Sequence, residues 1–308
     1  MKDTRSLTYV ADVEKKLLTH VLLNILPRTY TGNTEENKKG KKQRIQGVKK
    51  MEDIVFKYKE EPELKNTILI EGLPGVGNVG KLAAEHLIDE LEAELFCEIY
   101  SIYLPPQVLV SEDGIAELVN NELYYKKNVG ENDFDLLIIT GDYQGMTPQG
   151  QYRMTDKILS LSDKYDIKKM FSLGGYGQGE MIEKPEVLGA VTDEEFIDEM
   201  EDLGVVFSEE HPSSGIVGAS GLLLGLGKKM YDLDGICLMG ETSGYFVDPG
   251  AARAVLKILV KDLGFEIGYD KLDDKAKEVE SLTSKIKEMD SGPGMQQESS
   301  KEDLRYIG

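Results

Sequence analysis

The stretch Thr67–Gly80, T-I-L-I-E-G-L-P-G-V-G-N-V-G, runs directly into K-L-A-A-E-H-L from Lys81 to Leu87. Thr67, Ile68, Leu69 and Ile70 are apolar or β-branched and make a short buried strand. Gly72, Gly75, Gly77 and Gly80 punctuate a turn, and Lys81–Leu91 opens a helix with Leu82, Leu87, Ile88 and Leu91 on one face. Strand, glycine turn and helix in that order predict an α/β fold. Gly75, Gly77 and Gly80 also fall in the G-x-G-x-x-G spacing, in which a tight turn and a helix N-terminus bring backbone N–H groups up to a phosphate.

A dinucleotide site also needs an acidic residue for the ribose at the end of the second strand, and Glu98 lies 18 residues after Gly80. Against this reading, Pro74 sits inside the turn and no second mononucleotide-like half follows. Strand-to-helix junctions are also glycine-rich for steric reasons alone, because glycine tolerates positive φ and lets a helix lie close on a strand. The turn is therefore either structural or a nucleoside or nucleotide site of an α/β enzyme.

Working outward, the alternation continues. Glu94–Tyr103 reads as a strand broken by Pro105-Pro106, and Ile115–Val119 with Glu122–Lys126 reads as a β-hairpin about Asn120-Asn121. Asp135–Thr140 is a buried parallel strand with Thr147–Tyr165 as its return helix, and Lys168–Leu173 is a strand running into G-G-Y-G-Q-G. Val187–Val191 and Val205–Phe207 bracket a helix that begins at the acidic Thr192–Glu195; Gly235–Gly240 is the last strand and Ala251–Leu263 the helix behind it. The pattern predicts three layers, a mostly parallel or mixed sheet flanked by helices.

The 308 residues, 40% hydrophobic, suffice for one large core or two modest ones, and no apolar run approaches the ~20 residues of a membrane span. Cys97 and Cys237, each in an apolar run, predict buried reduced thiols in a cytoplasmic protein. Residues 1–50 carry 12 Lys/Arg against 5 Asp/Glu, a net of +7; the remaining 24 against 51 give −27. So acidic a body argues against nucleic acid as its partner, since phosphates require a basic stripe. Lys38, Lys39, Lys41, Lys42 and Arg44 read as a solvated linker. Val10–Leu26 has the spacing of an amphipathic helix, and Met51 reads as a plausible start of the folded unit, making 1–50 an extension, disordered or upstream of the true start.

Catalytic constellations are thin. His20, His86 and His211 share no metal-ligand spacing, so no metal and no cofactor is expected. Ser220 in G-A-S-G-L lacks the G-x-S-x-G elbow of a hydrolase nucleophile. Glu241, Thr242 and Ser243 follow the last strand, where α/β folds gather ligands, but read better as a capping turn. The body is expected to span 51–268. Tyr269–Met289 places Leu272, Ala276, Val279, Ile286 and Met289 at helical spacing, giving a C-terminal helix over 269–290. Residues 291–308 form a polar flexible tail ending in L-R-Y-I-G, a bulky tip suited to a pocket on another protein.

Several ordered segments carry a resemblance: G-L-P-G-V-G-N-V-G (Gly72–Gly80), Leu104-Pro105-Pro106 with Asp113-Gly114, T-G-D-Y-Q (Thr140–Gln144), L-G-G-Y-G (Leu173–Gly177) and G-A-S-G-L-L-L-G (Gly218–Gly225). Over about Met51–Leu263 the chain resembles the archaeal branch of the proteasome assembly chaperone family. The resemblance implies a nucleoside phosphorylase-like fold without enzymatic activity and self-association into homo-oligomers, with a related sister chain as a further partner. It also implies binding to proteasome α-subunits or the α-ring, with Leu304, Tyr306, Ile307 and Gly308 as the docking tip. Tyr306 stands third from the end, where the family's tail has its tyrosine second, and Ile307 occupies that place.

Overall fold

The computed structural model describes residues 52–130, 133–207 and 215–279. The expected amphipathic helix at Val10–Leu26, the basic cluster, His20, His211 and the docking tip lie outside the described residues.

Eleven strands are β1 (Ile54–Tyr58), β2 (Thr67–Glu71), β3 (Glu94–Ser101), β4 (Val108–Val110), β5 (Ala116–Leu118), β6 (Asn121–Val129), β7 (Phe134–Gly141), β8 (Ile167–Gly177), β9 (Val187–Val191), β10 (Val205–Val206) and β11 (Asp234–Thr242). Nine form one mixed sheet in the order β1-β3-β6-β7-β2-β8-β11-β9-β10, and β4-β5 form a separate ribbon. The centre, β7-β2-β8-β11, is parallel, while β6 and β9 flank it antiparallel. A parallel strand covered on both faces is apolar throughout. All eight residues of β7 are buried accordingly, with Asp135 accepting from the backbone N–H groups of Lys65 and Asn128 at 2.9 and 3.0 Å.

The helices are α1 (Val79–Leu91), α2 (Pro148–Leu159), α3 (Ile197–Asp202), α4 (Ala219–Met230), α5 (Pro249–Leu263) and α6, residues 270–279. Alternation along the strands divides the core between them. Ile70, Leu136, Ile138, Phe171 and Leu238 face Leu87 of α1, Leu256 of α5 and Leu272 of α6. Leu69, Leu137, Ile139 and Met170 face Leu159 of α2 and Leu223 of α4. The result is the expected helix–sheet–helix sandwich. α2 and α5 begin on well-made caps: Thr147 and Asp248 accept from the N–H groups of Gly150 and Ala251, each with proline at the first helical position.

Two expectations need correction, and one helix was not foreseen. Ala116–Leu118 pairs with Val108–Val110 rather than with the strand after it; Asn121 begins β6 itself, opposite Ile99 and Gly141, and is fully buried. The return helix ends at Leu159 instead of Tyr165, since Leu161 and Tyr165 turn inward to bury their side chains. α4 forms over the glycine-rich G-A-S-G-L-L-L-G segment, to which the sequence reading assigned no element.

Candidate functional site

The four parallel strands all end at one edge of the sheet, where α/β folds gather their functional loops. Glu71 is the last residue of β2 and is wholly buried. Its Oε1 accepts from the Leu73 N–H at 3.0 Å and its Oε2 from the Ser220 hydroxyl at 2.9 Å. Burial raises its pKa to about 7 against the pull of both hydrogen bonds. Gln144, just beyond β7, ties the neighbouring loops together. Its amide donates to the Pro74 carbonyl at 2.8 Å, and its carbonyl oxygen accepts from the Ala219 N–H and the Gln151 side chain at 3.0 Å each. The Lys81 ammonium, 3.3 Å from Glu85, donates to the Gly141 carbonyl at 2.7 Å.

Gly72, Gly75, Gly77 and Gly80 lie in the turn that this girdle holds down. A Cβ on Gly72 would run into the Gly80 carbonyl, and one on Gly80 into the carbonyl of Leu173 on β8. Gly77 adopts φ 61°, and a Cβ there would lie 2.8 Å from the Thr242 hydroxyl. The Gly77 carbonyl in turn accepts from the Asp248 N–H at 2.9 Å. Three of the four glycines therefore bring this chain's own elements together, while a Cβ on Gly75 would meet only the Gln144 side chain, in ordinary contact at 3.8 Å. The ribose-binding role for Glu98 fails on topology: β6 and β7 separate β3 from β2, and Glu98 pairs with Lys59 at 3.2 Å.

The other candidates are structural. Thr242 donates to Asp248, the cap of α5, at 2.7 Å, while Glu241 is bonded to the Gln178 side chain and accepts from the Glu186 N–H. The Ser220 hydroxyl, spent on Glu71, has no histidine beside it among the described residues. His86 lies on α1 with Nε2 2.8 Å from the Gly268 carbonyl. Cys97 and Cys237 are buried free thiols, both pushed up to about 12 by burial. Among the described residues no acid, cysteine and histidine cluster could hold a metal ion, and no helix is long and apolar enough to cross a membrane.

This end presents apolar side chains outward beside the exposed carboxylates Glu112, Asp113 and Glu117 of the ribbon and Glu180, Glu183 and Glu186 after β8. Val108, Leu109 and Val110 of β4 are exposed, with Ile115 and Leu118 across the ribbon. Ile102, Met146, Tyr152 and Val217 continue the surface, as do Tyr245, Phe246 and Val247 after β11. Sequence reasoning missed Glu71, Gln144 and this surface. The signal available was the recurrence of polar-glycine segments at strand ends.

The model of the PAC2 family matches residues 69–287. The chain belongs to the PAC2 family. Two solved structures from Pyrococcus furiosus are similar to it. PbaB, described as an archaeal proteasome activator, is 40% identical with a TM-score of 0.73, covering 77% of this chain and all of PbaB. PbaA, described as an archaeal homolog of proteasome-assembly chaperone, is 31% identical with a TM-score of 0.62, covering 77% of this chain and 93% of PbaA. A protein of Methanocaldococcus jannaschii is 38% identical over 258 residues, 83% of this chain and 97% of its own. In this PAC2 chain, the segments that carried the resemblance are largely those that meet at the sheet edge: Gln144 joins the glycine turn to the Gly218–Gly225 segment, and Leu173 abuts Gly80.

Proposed function

We propose that this chain is a proteasome assembly chaperone or activator that works by binding, without catalysis, as an assembly of several copies. The observation that carries the reading is its similarity along most of the chain to PbaB and PbaA, whose descriptions name the proteasome. The sheet edge supports it. Ser220 and Glu71 are bonded to each other inside the sheet edge, and the surface around them exposes large apolar side chains of the kind that protein partners cover.

The partner is the proteasome α-subunits or α-ring, and Leu304, Tyr306, Ile307 and Gly308 form the docking tip at the end of a polar tether. A tethered tip gains strength through effective concentration once several copies share one assembly. Deleting Leu304–Gly308 is expected to weaken binding to purified archaeal α-rings by about 10-fold or more in a surface-binding titration. Equal affinity of the truncated chain would remove the tail from the mechanism, and absence of binding by the full chain would overturn the proteasome reading.

A further inference from the structure

Glu71 stands in a row across the parallel strands, opposite Ile139 of β7 and Ser172 of β8, with Cys237 of β11 next in register. Its side chain shares a face with Leu69, the face that α4 covers. Fully buried there, it meets two donors, the Ser220 hydroxyl and the Leu73 N–H. No charge offsets it. Cys237 is its titratable neighbour, a thiol that the Glu71 carboxylate pushes up further. Asp135, Lys168, Lys169 and Asp234 lie at the opposite end of β7, β8 and β11. Asp142 and Glu241, at the near end, are bonded to Asn120 and Gln178, and Lys81 after the glycine turn is spent on Glu85 and the Gly141 carbonyl. On the helices above, Arg153, Asp156 and Lys157 of α2 and Lys229 of α4 are exposed, and Lys228 pairs with Asp193 and Asp234.

α4 depends on this contact. Its N-cap, Gly218, has no side chain to offer the first turn, and Gly221, Gly225 and Gly227 sit in its interior, where glycine disfavours a helix. What fixes its start is tertiary: the Ser220 hydroxyl on Glu71, and the Ala219 N–H on Gln144, which also holds the Pro74 carbonyl. Elements held by a few bonds of this kind open locally before the whole fold does.

We propose that Glu71 and Ser220 form a pH-sensitive latch, which holds the start of α4 and the glycine turn on the sheet edge while the carboxyl carries its proton and releases them as the proton is lost. Opening lets water reach the carboxylate, so the open state titrates at the ordinary 4.5, against about 7 when closed. The open state therefore binds fewer protons between those values. Opening becomes easier as pH rises through that window, by about 10-fold per pH unit, and levels off above about 7. Val217, exposed just before α4, moves with it, so pH governs how this part of the apolar surface is presented. The latch is independent of what the protein binds.

The test is amide hydrogen exchange of the full chain at Leu222, Leu223 and Leu224 of α4 and at Leu137 and Ile138 of β7, each rate divided by the intrinsic rate at that pH to give an opening constant. From about pH 5 to about pH 7 the α4 constant is expected to rise about 100-fold in the wild type and to stay within about 2-fold in Glu71→Gln. It should exceed the β7 constant by about 10-fold or more, since α4 opens on its own. Ser220→Ala, which removes a donor to the ionised carboxyl, should carry the rise past about pH 7 before it levels off. An α4 constant that is flat with pH, a rise that persists in Glu71→Gln, or equal constants for α4 and β7 would each overturn the proposal. Should Glu71→Gln fail to fold, carbon-13 NMR of the wild type decides. One glutamate carboxyl is expected to titrate near pH 7, and titration of every glutamate below about pH 5.5 overturns the latch.

Discussion

Glu71 carries its proton differently in the folded and unfolded chain, because burial at the end of β2 penalises the carboxylate and raises its pKa from an ordinary 4.5 to about 7. The folded state therefore binds more protons than the unfolded state between those values. Stability from this group is complete below about pH 4.5 and is lost as pH rises through about 7, a change of about 3 kcal/mol. Glu71→Gln keeps an acceptor for the Leu73 N–H and removes the charge. Urea unfolding should show the variant gaining on the wild type as pH rises from about 4.5 to about 8, by about 3 kcal/mol. A difference that stays constant with pH would show that Glu71 does not titrate in this window. Glu71 stood in plain view inside T-I-L-I-E-G, yet its role was not legible there. A carboxylate after three apolar residues reads as the point where a strand meets solvent. Its burial depends on Ser220, 149 residues away, arriving on α4.

Elements differed in legibility according to what sets their conformation. β2, β7, β8 and β11 were readable as apolar runs because both faces of a central parallel strand are covered. Asn120-Asn121 misled because its turn chemistry is used elsewhere: Asn120 exchanges bonds with Asp142 across the strand ends, and Asn121 donates to the Tyr143 carbonyl. α4 was invisible because glycine disfavours a helix interior by about 1 kcal/mol per residue, and tertiary packing overrides that cost here. The glycines of α4 nonetheless differ from one another. A Cβ on Gly221 would run into the backbone carbonyl of Ile216, whereas Gly225 is exposed with nothing near its Cβ position. Gly225→Ala should stabilise the protein by up to about 1 kcal/mol, as propensity alone dictates. Gly221→Ala should destabilise it by about 1–3 kcal/mol, because a backbone oxygen cannot swing aside. Denaturant midpoints of the two variants decide this, and equal gains for both would mean that α4 packs less closely than its glycines indicate.

At the scale of the whole molecule, the charge balance was readable by counting, but the gathering of exposed apolar side chains at one end of the sheet was not, because its segments lie far apart in sequence and meet only through the order β7-β2-β8-β11. The two facts together set a salt dependence. Chains of net −20 repel one another over a range that shrinks to about 10 Å at 0.1 M salt. Contact through exposed apolar side chains contributes burial that moderate salt leaves intact. Raising sodium chloride from about 0.02 M to about 0.3 M should therefore tighten self-association, by roughly 10-fold in dissociation constant. An interface built on ion pairs responds in the opposite sense, since salt screens the attraction that forms it. Sedimentation equilibrium across the salt series distinguishes the two. Association that weakens with salt would mean that the copies meet through opposite charges, with residues such as the Lys38–Arg44 cluster reaching an acidic neighbour, rather than through the apolar end.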